Sequence, residues 1–97
     1  MNPSATLPPY EIHAHGGGFT TFEAGDAVAL PLIQLNKATL RGASGQRMLL
    51  EYSAAEVVIE GDGLAELFAH LLGGRVKAIR RGNHDGCTVA AVQVLEV

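Results

Sequence analysis

The sequence predicts an α+β domain, a mostly antiparallel β-sheet with one short amphipathic helix at about residues 64–72 packed on one face. Three observations carry that expectation. Stretches such as "YEIHAH" and "QRMLLEYS" alternate apolar and polar residues with the two-residue period of a half-buried strand. One stretch, "GDGLAELFAHLLGG", has helical spacing, with Leu64, Leu67, Phe68, Leu71 and Leu72 at i, i+3, i+4, i+7 and i+8. Glycine-bearing turns separate these segments, "GASG" at 42–45 and "NHDG" at 83–86.

The elements follow in order. Residues 1–9 hold three of the four prolines and no apolar period, and read as a flexible N-terminal tail. Residues 10–97 form a single domain, since no linker, repeat or low-complexity block divides them. In "YEIHAH", Tyr10, Ile12 and Ala14 point one way and Glu11, His13 and His15 the other. Gly16, Gly17 and Gly18 interrupt the strand, and Phe19 and Phe22 resume buried contact before "AGD" turns the chain. Residues 28–42 fit no single element, because Pro31 argues against a central strand. Two consecutive strands follow, with Met48, Leu50 and Tyr52 on one parity and Val57 and Ile59 on another.

The helix needs a start and a stop. Asp62 or Gly63 can cap it, and Glu66 suits the free amide end of the first turn. Gly73 and Gly74 supply the left-handed conformation that ends helices. A helix this short does not persist alone in water, so it needs a sheet to lie on. Beyond it, "RVKAIRRG" and "CTVAAVQVLEV" read as strands joined by a hairpin at Asp85-Gly86. The last strand is apolar on both parities, which predicts a central strand or one covered on both faces.

Composition bounds the function. A chain that is 47% hydrophobic and 18% charged has little polar surface to cover itself, so self-association is expected. A net charge of −3 gives no broad attraction to nucleic acid or acidic membranes. Cys87 is alone, so no internal disulfide forms, and no basic, apolar leader opens the chain. A cytoplasmic location is expected. The run "AVALPLI" is too short to span a bilayer and contains Pro31, so no membrane partner is expected.

Four side chains could ligate a metal: His13, His15, His84 and Cys87. Residues i and i+2 of a strand share a face, so His13 and His15 could grip one ion. His84 and Cys87 add the nitrogen and thiolate that zinc prefers. His13-Ala-His15 resembles the paired histidines of a cupin metal site, which would imply a β-rich metal-binding fold. The family's glutamate should follow four or five residues later, however, and here Glu23 comes eight after His15. The stretch His15–Phe19 is similar to the oxyanion loop of lipase-like α/β-hydrolases, but no G-x-S-x-G serine accompanies it. Cys87 with His84 has the residue types of a nucleophile and base, yet a thiol opening an apolar strand is more simply a buried one.

Arg75, Lys77, Arg80 and Arg81 gather four of the seven basic residues, a patch able to hold phosphates. No aromatic residue interleaves them, so an outer strand meeting Glu51, Glu56 or Glu60 is the simpler expectation. The preferred reading is a non-enzymatic, homo-oligomeric interaction module with no cofactor. Its candidate anchors are Phe19, Phe22, Leu30, Leu32 and Ile33. The alternatives are a metal- or small-ligand-binding protein using the His13/His15 face, with zinc the matching metal, and nucleic-acid binding through the basic strand 75–81.

Overall fold

The computed structural model describes residues 8–13 and 17–96. His15 and residues 1–7 of the expected tail lie outside the described residues. In chain order the strands are β1 (Tyr10–Ile12), β2 (Phe19–Ala24), β3 (Asp26–Pro31), β4 (Leu35–Arg41), β5 (Arg47–Tyr52) and β6 (Ala55–Asp62). Helix α1 (Ala65–Leu72) follows, then β7 (Val76–Ile79), β8 (Gly82–His84) and β9 (Cys87–Glu96). They form two sheets, ordered β1-β7-β2-β3 and β4-β5-β6-β9-β8. Every pairing is antiparallel except β2 with β7, where Thr21 lies beside Ala78 and Phe22 beside Ile79. The chain is α+β and mostly antiparallel, as its patterning predicts.

The region 28–42 resolves into an edge strand, a turn and a second edge strand. Pro31 ends β3, which borders the first sheet, so its missing N–H breaks no ladder. A short 3-10 turn, Leu32–Gln34, then hands the chain to β4 in the second sheet. There Met48, Leu50, Val57 and Ile59 are fully buried on one face of β5 and β6, following the two-residue period of the sequence. Phe22, Val76 and Ile79 of the first sheet join them in one core, where Phe22 meets Tyr52 edge-on at 5.9 Å.

The last strand is an inner strand, between β6 and β8, which is one of the two readings its pattern allows. Its apolar residues on both parities do not reflect cover on both faces. The β6–β9 register slips between Glu60 and Gly61, so that Glu60 faces Ala91 while Gly61 faces Val89. A bulge of one extra residue inverts which side chains point inward. Cys87 and Val89 are buried before it, Val92 and Val94 pack on the core after it, and Leu95 is exposed. Gly61 permits the close approach, because a Cβ there would meet the Thr88 carbonyl oxygen at 1.8 Å.

The helix starts one residue later than its spacing suggests. Leu64 occupies the cap position with no side-chain cap. Its amide donates to the Gly45 carbonyl at 2.9 Å, and its own carbonyl accepts from Phe68. Asp62 is not the cap, because its carboxylate takes the Ser44 hydroxyl at 2.6 Å instead. Leu64, Leu67 and Leu71 are fully buried in the core, whereas Leu72, at the edge of the apolar stripe, is 51% exposed.

Two further expectations are corrected by topology. β7 is an inner strand between β1 and β2, not an edge, and it ends at Ile79, leaving Arg80 and Arg81 beyond it. Pro8 and Pro9, expected in the tail, are held to the body. Pro9 is fully buried, its carbonyl accepting from the Arg80 amide at 2.8 Å, and the Pro8 carbonyl accepts from Arg80 Nη1 at 3.2 Å.

Candidate functional site

The described candidate ligands His13, His84 and Cys87 lie in two places. β1 stops at Ile12 after a register irregularity, so His13 falls past the strand rather than on its outer face. Its amide donates to the Arg75 carbonyl at 2.7 Å, and its Nε2 lies 3.1 Å from the Phe19 carbonyl. Gly17 makes room for the ring, since a Cβ there would sit 2.6 Å from it. Gly17 thus serves packing, a role that the sequence alone presents only as a break in a strand.

His84 and Cys87 are brought opposite each other across the β8–β9 hairpin. Asp85 and Gly86 form its two-residue loop, both with positive φ (50° and 80°), the pairing that twists a tight hairpin correctly. The hairpin, the segment Pro8–Tyr10 and the helix start at Gly63 and Glu66 enclose a groove of about 280 Å³. Gly63 lets the two loops touch, because a Cβ there would lie 2.0 Å from the Gly86 carbonyl oxygen.

The electrostatics of this groove do not favour nucleophilic chemistry. Burial, then the Glu66 carboxylate, pushes the Cys87 thiol up, away from the reactive thiolate. His84 Nε2 lies 3.1 Å from Asp85 Oδ2, a pairing made at the exposed loop. The Tyr10 phenol is likewise raised, first by burial and then by Glu66, to which its hydroxyl donates at 3.5 Å. Glu66 also lies 3.8 Å from His70 Nε2, and His70 Nδ1 accepts from Arg75 Nε at 3.2 Å. Tyr10, Glu66, His70 and Arg75 thus form a surface strip that residue spacing cannot reveal, as Tyr10 and Glu66 are 56 residues apart. Among the described residues, no three His, Cys, Asp or Glu side chains converge closely enough to hold a metal ion.

Of the basic stretch, Arg80 is the residue most engaged in structure. Arg80 Nη2 bonds Glu11, and the same nitrogen lies 3.0 Å from Glu23. Its side chain is only 12% exposed. The expected partners Glu51, Glu56 and Glu60 belong to the other sheet, where Glu60 pairs with Arg47 at 3.7 Å. Arg75 donates to His70, while Lys77 and Arg81 are exposed.

The apolar anchors divide. Phe22 and Leu30 are core residues, Leu32 is half-buried, and Phe19 and Ile33 are 57% and 92% exposed. Phe19 opens β2 and Ile33 follows the end of β3, whose last residue pairs with Phe19. Leu32 donates its amide to Gly18 and packs 3.0 Å from the Cβ direction of Gly74. Gly74 comes two residues after Leu72 and receives the Gly17 amide at 3.4 Å. Ile12, also exposed, pairs with Val76 where β7 begins. Ile12, Phe19 and Ile33 therefore lie at one end of the first sheet, and Leu72 comes two residues before Gly74, which meets Gly17 and Leu32 there. Comparison with family models, curated proteins and solved structures returned no match.

Proposed function

We propose that the protein is a non-enzymatic association domain that works as a homo-oligomer, with the apolar end of the first sheet as the surface on which copies meet. The observation that carries this reading is the exposure of Ile12, Phe19 and Ile33 at that end, with Leu72 two residues before Gly74 beside it. Scattered surface hydrophobes are ordinary, but a contiguous group of large ones marks a contact surface. An aromatic and three aliphatic residues suit the dry centre of an interface, where charged residues are depleted. Arg75, Lys77 and the His70–Glu66 pair lie close by in sequence and supply a polar rim. A lone thiol kept neutral and buried needs no oxidising compartment, so we place the action of the domain in the cytoplasm.

Light scattering coupled to gel filtration tests the reading. The wild-type chain is expected to run as a multiple of its own mass across the micromolar range. Ile33→Asp and Phe19→Asp, at exposed positions, should shift it towards one chain that keeps the circular dichroism spectrum of the folded domain. A wild-type mass of one chain throughout that range rules the proposal out.

A further inference from the structure

The groove between the β8–β9 hairpin, the helix start and Pro8–Tyr10 lies at the opposite end of β1 from the apolar patch, since Tyr10 pairs with Ile79 and Ile12 with Val76. Its charge is one-sided. Glu66 and Asp85 line it, and no lysine or arginine does. Among the described residues Glu66 has neutral partners only. The Tyr10 hydroxyl reaches it at 3.5 Å, longer than a good hydrogen bond, and His70 lies 3.8 Å away. His70 Nδ1 accepts from Arg75 Nε, which leaves that side chain the neutral imidazole. The rest of the wall is uncharged too. Burial first, and then Glu66, keeps the Tyr10 phenol and the Cys87 thiol protonated. Cys87 is only 7% exposed, lines the groove, and makes no side-chain hydrogen bond among the described residues. A buried polar group left facing a groove marks a contact still to be completed.

We propose that this groove binds a small organic ammonium ion, a protonated primary amine carried on a compact apolar body. The site is separate from the apolar end of the first sheet, so the inference goes beyond the association reading above. The ammonium group donates to the Glu66 carboxylate within reach of the Tyr10 ring, whose face attracts a cation. The apolar body lies between the Pro8 ring and the Cys87 thiol, a soft surface that accepts hydrocarbon. Charge selects the ligand class. An anion meets two carboxylates and no basic chain, and an uncharged molecule gains nothing from Glu66. A bare metal ion lacks the third ligand it needs among the described residues. Size selects further. A volume of about 280 Å³ equals roughly nine waters, at the small end for ligand pockets, and three chain segments wall it in. That suits a free small amine.

Nuclear magnetic resonance titration of the isotope-labelled full chain tests this with three probes of one shape, benzylamine, benzyl alcohol and benzoate, at neutral pH and low salt. Benzylamine is expected to give saturable shifts at the amides of Tyr10, Glu66 and Gly86. Benzyl alcohol should bind at least about tenfold more weakly, and benzoate should not bind. Glu66→Gln, at a side chain 78% exposed, keeps the fold and should weaken benzylamine about tenfold, the loss of one charge-assisted contact. Glu56→Gln, exposed on the second sheet, changes the net charge equally and should leave binding unchanged. Absence of saturable shifts at the groove with benzylamine, or equal binding of benzyl alcohol, overturns the proposal. So does an equal loss in Glu56→Gln and Glu66→Gln, because the amine then answers only to the net charge of the chain.

Discussion

Arg80 concentrates more of the molecule's electrostatics than any other described side chain. It joins Glu11 of β1 to Glu23 of β2 and binds the Pro8 carbonyl, tying the N-terminal segment to the first sheet. The guanidinium holds the Glu11 carboxyl below the usual carboxylate range, first through its hydrogen bond and then through its charge. The sign follows from linkage. A carboxyl whose folded pKa is depressed adds stability above its unfolded pKa, about 4.3, and loses it as the pH falls through the folded value. The melting temperature of the wild-type chain is therefore expected to drop more steeply below about pH 4 than that of Glu11→Gln. Thermal melts across an acid series check this, and parallel curves would remove Glu11 from the account. The pairing was not legible beforehand, because Glu11 and Arg80 are 69 residues apart. Charge alone offered Glu51, Glu56 and Glu60 equally, and only the allocation of β7 to the first sheet selects between the sets.

At the level of elements, short-range chemistry was readable and register was not. Asp85-Gly86 announces its hairpin because few residues accept positive φ, and the leucine period announces α1 because burial needs one face. That same helix gives a graded test. Leu67→Ala, at a fully buried site, is expected to cost about 2–5 kcal/mol in denaturant unfolding. Leu72→Ala, half-exposed, should stay within about 0.5 kcal/mol of wild type. The helix start was misplaced because Asp62 had a competing donor, Ser44, on a turn 18 residues earlier. The bulge in β9 was hidden for another reason. Apolar residues on both parities have two explanations, cover on both faces or a slip in phase, and sequence does not separate them. Gly61 is the residue that decides it. Gly61→Ala should lower stability by about 1–3 kcal/mol through overpacking on the Thr88 carbonyl, as measured by urea unfolding. An unchanged midpoint would mean that the strands can part without loss.

For the whole molecule, the partition into two sheets decides what becomes of each candidate residue. The chain contributes β2 and β3 to the first sheet, moves to the second for β4 through β6, and returns with β7 after the helix. This route separates His13 from His84 and Cys87, places the hairpin beside Pro8–Tyr10, and leaves the large exposed hydrophobes at one end and along β9. None of these placements follows from patterning within a segment. They depend on which distant strands pair, information carried by the complementarity of whole faces.

The late return of β7 also governs what can exist while the polypeptide is being made. Emerging from the ribosome, β1 has no neighbour and β2 has only β3 until residues 76–79 arrive, because both await the same strand. Those sides of β1 and β2 must stay unpaired until then, and a product cut short before Val76 leaves them permanently open.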